Sequence, residues 1–153
     1  KIHQMLSGEL EKENLKQNYR MFHIDGGHDT DEALSDLMLA ANLIVDSGVI
    51  ILDDPFRQDW PGVTEALIKF LEKQPDFMAF VVGFNKLMIC KKVAAETYLE
   101  IIDDKSKRQL FQLHYPLVFE KKSFGNVTMR VLTVKTGMNM RSLKVKVKRM
   151  LKS

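Results

Sequence analysis

The most informative pattern of apolar and polar positions lies between residues 21 and 54. A short apolar run, Met21–Ile24, ends at an aspartate and two glycines, which is typical of a strand followed by a tight turn. Apolar residues then recur every three or four positions, and this spacing predicts an amphipathic helix. A fully apolar run, Val49–Leu52, predicts a strand covered on both faces. The stretch therefore predicts a strand–helix–strand unit.

The limits of this helix are predicted from its flanking residues. Asp29 can cap the helix, and Glu32 stands three residues later, as in a capping box. The apolar stripe includes Ile44 and Val45, and Gly48 stands where a helix usually ends. The pattern thus predicts a helix that continues through Val45.

Polar side chains follow both strands of this unit. A right-handed crossover places the two strands side by side and parallel. Asp25 follows the first strand, and Asp53 and Asp54 end the second. Open α/β sheets bind ligands outside the carboxyl ends of their strands. We therefore expect Asp25, His28, Asp53 and Asp54 to gather at one crevice.

The next part of the chain predicts a second helix and a hairpin. Pro61 fits the first turn of an amphipathic helix. Phe77–Val82 is a buried strand, Gly83–Lys86 a hairpin turn, and Leu87–Cys90 the returning strand. Val93–Ile102 then predicts another helix. The predicted fold class is α/β, with parallel strands that finish in an antiparallel hairpin.

The pattern changes after residue 103, where we place a domain boundary. Residues 110–119 and Val127–Val134 predict further strands, joined by a turn at 124–126. Residues 1–103 form the α/β part of this division, and residues 104–153 form an accessory C-terminal extension.

Composition narrows the class of protein. With 153 residues, 45% of them hydrophobic and 28% charged, the chain can bury one ordinary globular core. The net charge of +3 is too small to indicate nucleic-acid binding, and the basic residues 141–152 are interpreted as a solvated face or an edge strand. The single cysteine, Cys90, excludes an internal disulfide and fits a reducing compartment. No apolar run approaches the ~20 residues of a membrane span, so we expect a cytoplasmic protein.

The expected cluster of carboxylates and imidazole favours a hard divalent cation. Mg²⁺ prefers oxygen ligands and keeps several waters, so a few carboxylates suffice. A neutral imidazole at His28 suits a general base for a hydroxyl proton. Each residue also has an ordinary interpretation: Asp25 as turn chemistry, Asp53 and Asp54 as a solvated loop start, and His28 as a helix-entry residue that bonds locally.

Three neighbouring residues have two interpretations each. His23 alternates to the same face as Asp25, but its place in an apolar strand favours a packed side chain. Arg57 and Trp60 lie on the loop after Asp54, where a substrate lid can form. A packed loop aromatic and a surface charge are the favoured interpretation of that pair.

Several segments together resemble a known family. FHIDGGH, SGVIILDD and PGVTEALIKFL are similar to motifs of class I S-adenosylmethionine-dependent methyltransferases, above all the macrocin O-methyltransferase-like group. The resemblance spans about residues 20 to 90, and VVGFNKLMICKK resembles the hairpin that closes the family sheet. It implies a Rossmann-like methyltransferase sheet.

The resemblance implies roles for individual residues. Asp25, Asp53 and Asp54 match the acids that bind Mg²⁺ in metal-dependent members, and His28 matches the base proposed there. Ser7, within IHQMLSGEL, matches a segment that lies along the cofactor adenine, although Leu6 replaces an acid.

The resemblance also implies that part of the family's cofactor site lies outside this chain. The family's first strand and glycine-rich cofactor loop would lie upstream of Lys1. Residues 1–103 would therefore be the C-terminal part of a methyltransferase domain, and the isolated chain is expected to bind S-adenosylmethionine weakly or not at all and to be inactive by itself.

Three functions follow as hypotheses. The first is a Mg²⁺-assisted O-methyltransferase acting on a sugar or other hydroxylated small molecule. The alternatives are a metal-dependent hydrolase, which uses the same acids to activate water, and a non-catalytic binding domain that lacks a complete cofactor site. A nucleic-acid partner and a transmembrane segment are not expected, and a homo-oligomer is left open.

Overall fold

The computed structural model describes residues 7–10, 15, 18–104, 117–124 and 127–134. The elements in these residues, in chain order, are α1 Ser7–Leu10, β1 Tyr19–Ile24, α2 Thr30–Leu43, β2 Ile44–Asp53, α3 Pro61–Lys73, β3 Phe77–Gly83, β4 Lys86–Lys91, α4 Lys92–Asp103, β5 Leu117–Phe124 and β6 Val127–Val134. No helix in these segments is long and apolar enough to cross a membrane.

The six described strands form one mixed sheet in the order β1-β2-β4-β3-β6-β5. β1 and β2 are parallel neighbours, as a strand–helix–strand crossover requires. β4 runs antiparallel between β2 and β3, so the hairpin closes back into the sheet. The predicted α/β class, with parallel strands that finish in an antiparallel hairpin, is confirmed. It is a Rossmann-like arrangement, in which β1 is an edge strand of the described sheet.

The core lies mainly between the sheet and the helix pair α2 and α3. Leu37 of α2 and Leu67 and Phe70 of α3 are fully buried. They pack with Ile50 of β2 and Ile89 of β4 in one cluster. Each large side chain removed from water contributes about 1.5–3 kcal/mol, so this layer is the main source of stability that holds β1 and β2 in register.

A smaller cluster covers the opposite face of the sheet. Cys90 and Phe80 pack there with Ala95 of α4, and Val49 of β2 adjoins them. The apolar residues of β2 thus point alternately into the two layers. This explains why the sequence of β2 shows a continuous apolar run, without the alternation of a half-exposed strand.

The helix α2 ends earlier than predicted. It stops at Leu43, and Ile44 is already extended, with φ −83° and ψ 141°. Ile44 pairs with Tyr19 of β1, and its β-branched side chain favours the strand. Gly48 lies inside β2, where a Cβ atom would come within 2.3 Å of the Ile44 side chain. The predicted continuation of the helix through Val45 is therefore wrong.

The N-terminus of α2 lies where it was predicted, but the capping box is absent. Asp29 is the N-cap residue, and its backbone oxygen accepts a hydrogen bond from the N–H of Ala33 at 3.0 Å. Its carboxylate makes no cap hydrogen bond. Asp31 and Glu32 instead place negative charge in the first turn, where it is stabilised by the helix dipole.

The predicted hairpin turn at Gly83–Lys86 is confirmed. Both central residues are left-handed, with φ 53° at Phe84 and φ 63° at Asn85. Two consecutive positive φ values match the primed turns, whose twist suits the flanking strands. The turn directs Asn85 back toward the carboxyl end of β2, where it contacts the site described below.

The strand predicted at Val127–Val134 is confirmed as β6. β6 joins the sheet through a parallel pairing with β3, at Val81 opposite Arg130. The Arg130 side chain is 7% exposed and donates two hydrogen bonds to Asp103, at 2.9 and 2.6 Å. These contacts link β6 to both β3 and the end of α4. The domain boundary after residue 103 stays a prediction.

The strand predicted at 110–119 begins, within the described residues, at Leu117 and continues as β5 to Phe124. Of the turn predicted at 124–126, Phe124 lies in β5, and the other two residues lie outside the described part of the chain. The basic segment 141–152 also lies outside it.

The Cys90 thiol is expected to be inert in the folded protein. Its side chain is fully buried, and burial raises the pKa of the thiol to about 11. Since the thiolate is the reactive form, a thiol reagent at pH 8 should leave the native protein unmodified and titrate one thiol after denaturation. Rapid modification of the native protein would contradict this burial.

Candidate functional site

Three side chains converge where β1 and β2 end. His23, Asp25 and Asp53 each offer one ligand atom, and these atoms all lie within 4.8 Å of one another. The cause is the parallel pairing of β1 and β2, in which His23 pairs with Ile51 and Ile24 with Leu52. The two strands therefore end together, and the expected meeting of Asp25 with Asp53 occurs.

His23 was expected to pack within an apolar strand, and this expectation is wrong. Its side chain is exposed because β1 is an edge strand of the described sheet, and Met21 on the same strand is 63% exposed. The i, i+2 spacing of His23 and Asp25 places both on one face of the strand. This spacing indicates that His23 lies beside Asp25 at the site. The apolar neighbours of His23 in the sequence favour a packed side chain instead, and that interpretation is the wrong one.

This donor set fits a divalent cation. Metal–oxygen bonds of about 2.1 Å in an octahedron separate neighbouring ligand atoms by about 3 Å and opposite ones by about 4 Å. The three donor atoms lie within 4.8 Å of one another, which is close to this spacing. Carboxylates suit Mg²⁺ and Mn²⁺, and an imidazole is a common ligand of transition metals.

A lysine lies next to these donors. Lys86, the first residue of β4, places Nζ 2.8 Å from Oδ1 of Asp53 and 3.3 Å from Nε2 of His23. The hydrogen bond from Lys86 is the main reason that the pKa of Asp53 is lowered. The ion pair with Lys86 therefore stabilises the ionised form of Asp53.

Asp54 points to a different set of partners. It is 7% exposed and left-handed, with φ 54°. Its backbone N–H donates to the oxygen of Asn85 at 3.0 Å, and its carboxylate accepts hydrogen bonds from the side chains of Asn85 and, at 3.4 Å, Arg57. Its carboxylate is not in the group formed by His23, Asp25 and Asp53. The predicted role of Asp54 as a metal ligand stays a prediction.

His28 lies between Asp54 and Trp60. Its Nε2 is 3.6 Å from Oδ2 of Asp54, slightly beyond hydrogen-bond distance. Its ring stacks on the Trp60 indole, with centroids 4.0 Å apart and an interplanar angle of 14°. The His28 side chain is 36% exposed, so it stays accessible to a ligand.

The loop residues Arg57 and Trp60 are thus parts of the site. Trp60 covers one face of the His28 ring, and Arg57 forms ion pairs with Asp54 at 3.4 Å and with Asp59 at 3.5 Å. The favoured interpretation is confirmed, because Trp60 packs against the core cluster and the Arg57 side chain is half exposed. It did not include the contacts with His28, Asp54 and Asp59. The positions of Arg57 and Trp60 in the sequence do not indicate these contacts, because the contacts depend on the path of the loop after Asp54.

Gly62 allows α3 to approach the turn that carries His28. A Cβ atom at this position would lie 2.6 Å from the backbone oxygen of His28 and 2.9 Å from the backbone nitrogen of Thr30. Neither backbone atom can move without shifting the start of α2. The small residue at position 62 therefore sets the distance between Trp60 and His28.

Gly62→Ala is expected to lower the free energy of unfolding by about 1–3 kcal/mol, the usual cost of overpacking. Denaturant unfolding measures this change. Gly26→Ala is the matched control, because its Cβ would contact only the flexible Asp36 carboxylate, at 3.0 Å. Equal stability of Gly62→Ala and wild type would contradict the close approach.

Several cavities adjoin these residues, two of them at the ends of β1 and β2. A small space of about 10 Å³, large enough for about one water, is lined by Asp25, His28 and Asp53 among others. A cleft of about 1010 Å³ is lined by Ser7, His23 and Asp25 among others. The cleft brings Ser7, the predicted cofactor contact, to the same surface as Asp25.

The lining of this cleft is acidic. Its carboxylates are Glu9, Asp25, Asp31, Glu32 and Asp36, and no lysine or arginine is among the described lining residues. A concave surface of one charge sign concentrates ligands of the opposite sign. The cleft therefore favours a cationic ligand.

Comparison with known proteins adds one finding. Residues 1–55 match the family model described as a methyltransferase domain, and this match includes β1, α2 and β2. The match supports a methyltransferase, for which S-adenosylmethionine is in general the methyl donor. No curated protein and no solved structure gives a significant match.

Proposed function

We propose that the protein is an S-adenosylmethionine-dependent O-methyltransferase, assisted by Mg²⁺, that acts on a sugar or another hydroxylated small molecule. The observation that carries this proposal is the proximity of two sites. The metal donors lie where β1 and β2 end, and they are His23, Asp25 and Asp53. The His28 imidazole is next to them, because Asp25, His28 and Asp53 line the same small cavity.

His28 acts as the base in this proposal. An Nε2–H directed toward Asp54 leaves the lone pair of Nδ1 free to take the proton of an acceptor hydroxyl. The buried Asp54 carboxylate stabilises the imidazolium that forms. Stacking on Trp60 restricts the rotation of the ring. Asp54 and Trp60 are therefore positioning residues, and His28 is the catalytic residue.

Asp25 and Asp53, with His23, would hold the divalent ion. A cation bound there would supply positive charge that favours deprotonation of a nearby hydroxyl. The carboxylates of Asp25 and Asp53 would supply the negative charge that such an ion requires. The rest of the rate enhancement comes from holding the acceptor oxygen in line with the methyl group.

The acidic cleft supports the choice of methyl donor. The sulfonium group of S-adenosylmethionine is a cation, and the cleft lining carries Glu9, Asp31 and Glu32 beside Asp25. Ser7 lies on this lining and is proposed to contact the donor. The macrocin O-methyltransferase-like group stays the proposed subfamily, and the cytoplasm the proposed compartment.

Transfer of a radiolabelled methyl group tests this proposal. The full-length protein is incubated with labelled S-adenosylmethionine and a panel of hydroxylated acceptors, with Mg²⁺ or with a chelator. Transfer that needs both an acceptor hydroxyl and the metal is expected. Hydrolysis of a generic phosphoester with added metal, without methyl transfer, would instead support a hydrolase and overturn the proposal.

A further inference from the structure

The ammonium of Lys86 occupies a position among the metal donors. Lys86 pairs with Asp53 across the antiparallel ladder of β2 and β4. Its Nζ is 2.8 Å from Asp53 Oδ1 and 3.3 Å from His23 Nε2, so it contacts two of the three donor residues. The cluster is thus partly neutralised by a cation that belongs to the chain.

A divalent ion and this ammonium are both attracted to the Asp53 carboxylate and the His23 imidazole. The Asp53 oxygen that accepts the hydrogen bond from Lys86 has less electron density to offer a metal. The two cations also repel each other, because like charges a few ångströms apart are only partly screened near a protein surface. A metal that binds all three donors therefore has to displace Lys86.

Lys86 is able to leave. Its side chain is 38% exposed, and its four-carbon stem reaches water through several rotamers. Asp53, by contrast, is 17% exposed and is fixed at the end of β2. The lysine is the mobile partner, and the carboxylate keeps its place when the pair separates.

We propose that Lys86 is an internal competitor of the divalent cation, which binds only in exchange for the Lys86 ammonium. This inference rests on the proposed metal role and adds the residue that sets the affinity. When the ion leaves, the Lys86 ammonium returns and partly neutralises the carboxylates. It thereby reduces the repulsion between Asp25 and Asp53 in the metal-free protein. Removal of the lysine charge therefore strengthens metal binding and weakens the metal-free fold.

The test is calorimetric titration of the full-length protein with Mg²⁺. Lys86→Met, which keeps the stem and removes the charge, is expected to bind Mg²⁺ about three- to tenfold more tightly than wild type, the scale of a partly exposed ion pair. Lys86→Arg keeps the charge and is expected to stay near wild type. Lys86→Gln serves as a second neutral variant if Lys86→Met folds poorly.

A matched control lies on the same strand. Lys91 of β4 pairs with Asp46 at 2.7 Å, away from His23, Asp25 and Asp53. Lys91→Met removes an equivalent ion pair and should leave Mg²⁺ affinity unchanged. A purely structural role for Lys86 would make Lys86→Met resemble Lys91→Met, with reduced stability and unchanged affinity.

The outcomes separate the two proposals. Unchanged or weaker Mg²⁺ affinity in Lys86→Met, with binding in wild type, overturns the competition and leaves the proposed function standing. Absence of Mg²⁺ binding in both proteins overturns the metal role in the proposed function, and the competition with it. Thermal unfolding gives an independent reading: Mg²⁺ should raise the melting temperature of Lys86→Met more than that of wild type.

Discussion

His28→Ala is expected to lower the turnover number of the full-length protein by about 10²–10⁴-fold, the usual contribution of a general base. Affinities for Mg²⁺ and for S-adenosylmethionine should change little, because a base that acts only in the transition state does not contribute to ground-state binding. Steady-state kinetics with a hydroxylated acceptor, together with calorimetric titration of both ligands, measure the two effects separately.

The control for this prediction is His28→Asn. Asparagine can keep a local hydrogen bond at the start of α2 but has no useful base. If His28 only bonds locally, His28→Asn will turn over at nearly the wild-type rate at saturating Mg²⁺. That result would remove His28 from the mechanism, whatever the alanine variant shows.

Asp53→Asn is expected to weaken Mg²⁺ binding strongly, because the change removes a proposed metal ligand. Removal of a residue that only hydrogen-bonds to a metal ligand typically costs about 10–100-fold in affinity, and we expect a larger loss here. The change removes one of the two carboxylates of the donor set. It also releases Lys86, so the variant carries an unpaired cation beside His23 and Asp25. Calorimetric titration with Mg²⁺ measures the loss.

Two controls separate the charge at Asp53 from general effects. Asp46→Asn changes a carboxylate of β2 that pairs with Lys91 and lies away from the donors, so Mg²⁺ affinity should be retained. Asp54→Asn keeps a residue that tolerates the left-handed backbone. If Asp54 positions His28, this variant loses turnover and keeps Mg²⁺ affinity. Loss of Mg²⁺ affinity in Asp54→Asn would instead support Asp54 as a metal ligand.

The strand–helix–strand unit and the hairpin were predictable because their signals are local. Apolar runs at Met21–Ile24 and Val49–Leu52 each end at a turn or an acid, and Pro61 marks the start of α3. The end of α2 was missed because Ile44 and Val45 continue its apolar spacing. The helix ends at Leu43 because Ile44 pairs with Tyr19 of β1. The spacing of apolar residues along the helix does not reveal this tertiary contact.

The site was predictable only in part. The meeting of Asp25 and Asp53 follows from the topology alone. Asp53 and Asp54 are consecutive, and alternation along a strand already points consecutive side chains to opposite faces. The left-handed backbone of Asp54, φ 54°, is a further feature that the sequence does not reveal. The contact of Lys86 with His23 likewise depends on β4 lying next to β2, which the hairpin pattern does not specify.

Mg²⁺-assisted O-methylation is tested most directly by ¹³C NMR of the product formed from methyl-labelled S-adenosylmethionine. We expect a labelled O-methyl ether that forms with Mg²⁺, decreases strongly on chelation, and returns when the metal is restored. Transfer of the label to nitrogen, sulfur or carbon, or O-methylation that continues unchanged with chelator, would contradict it.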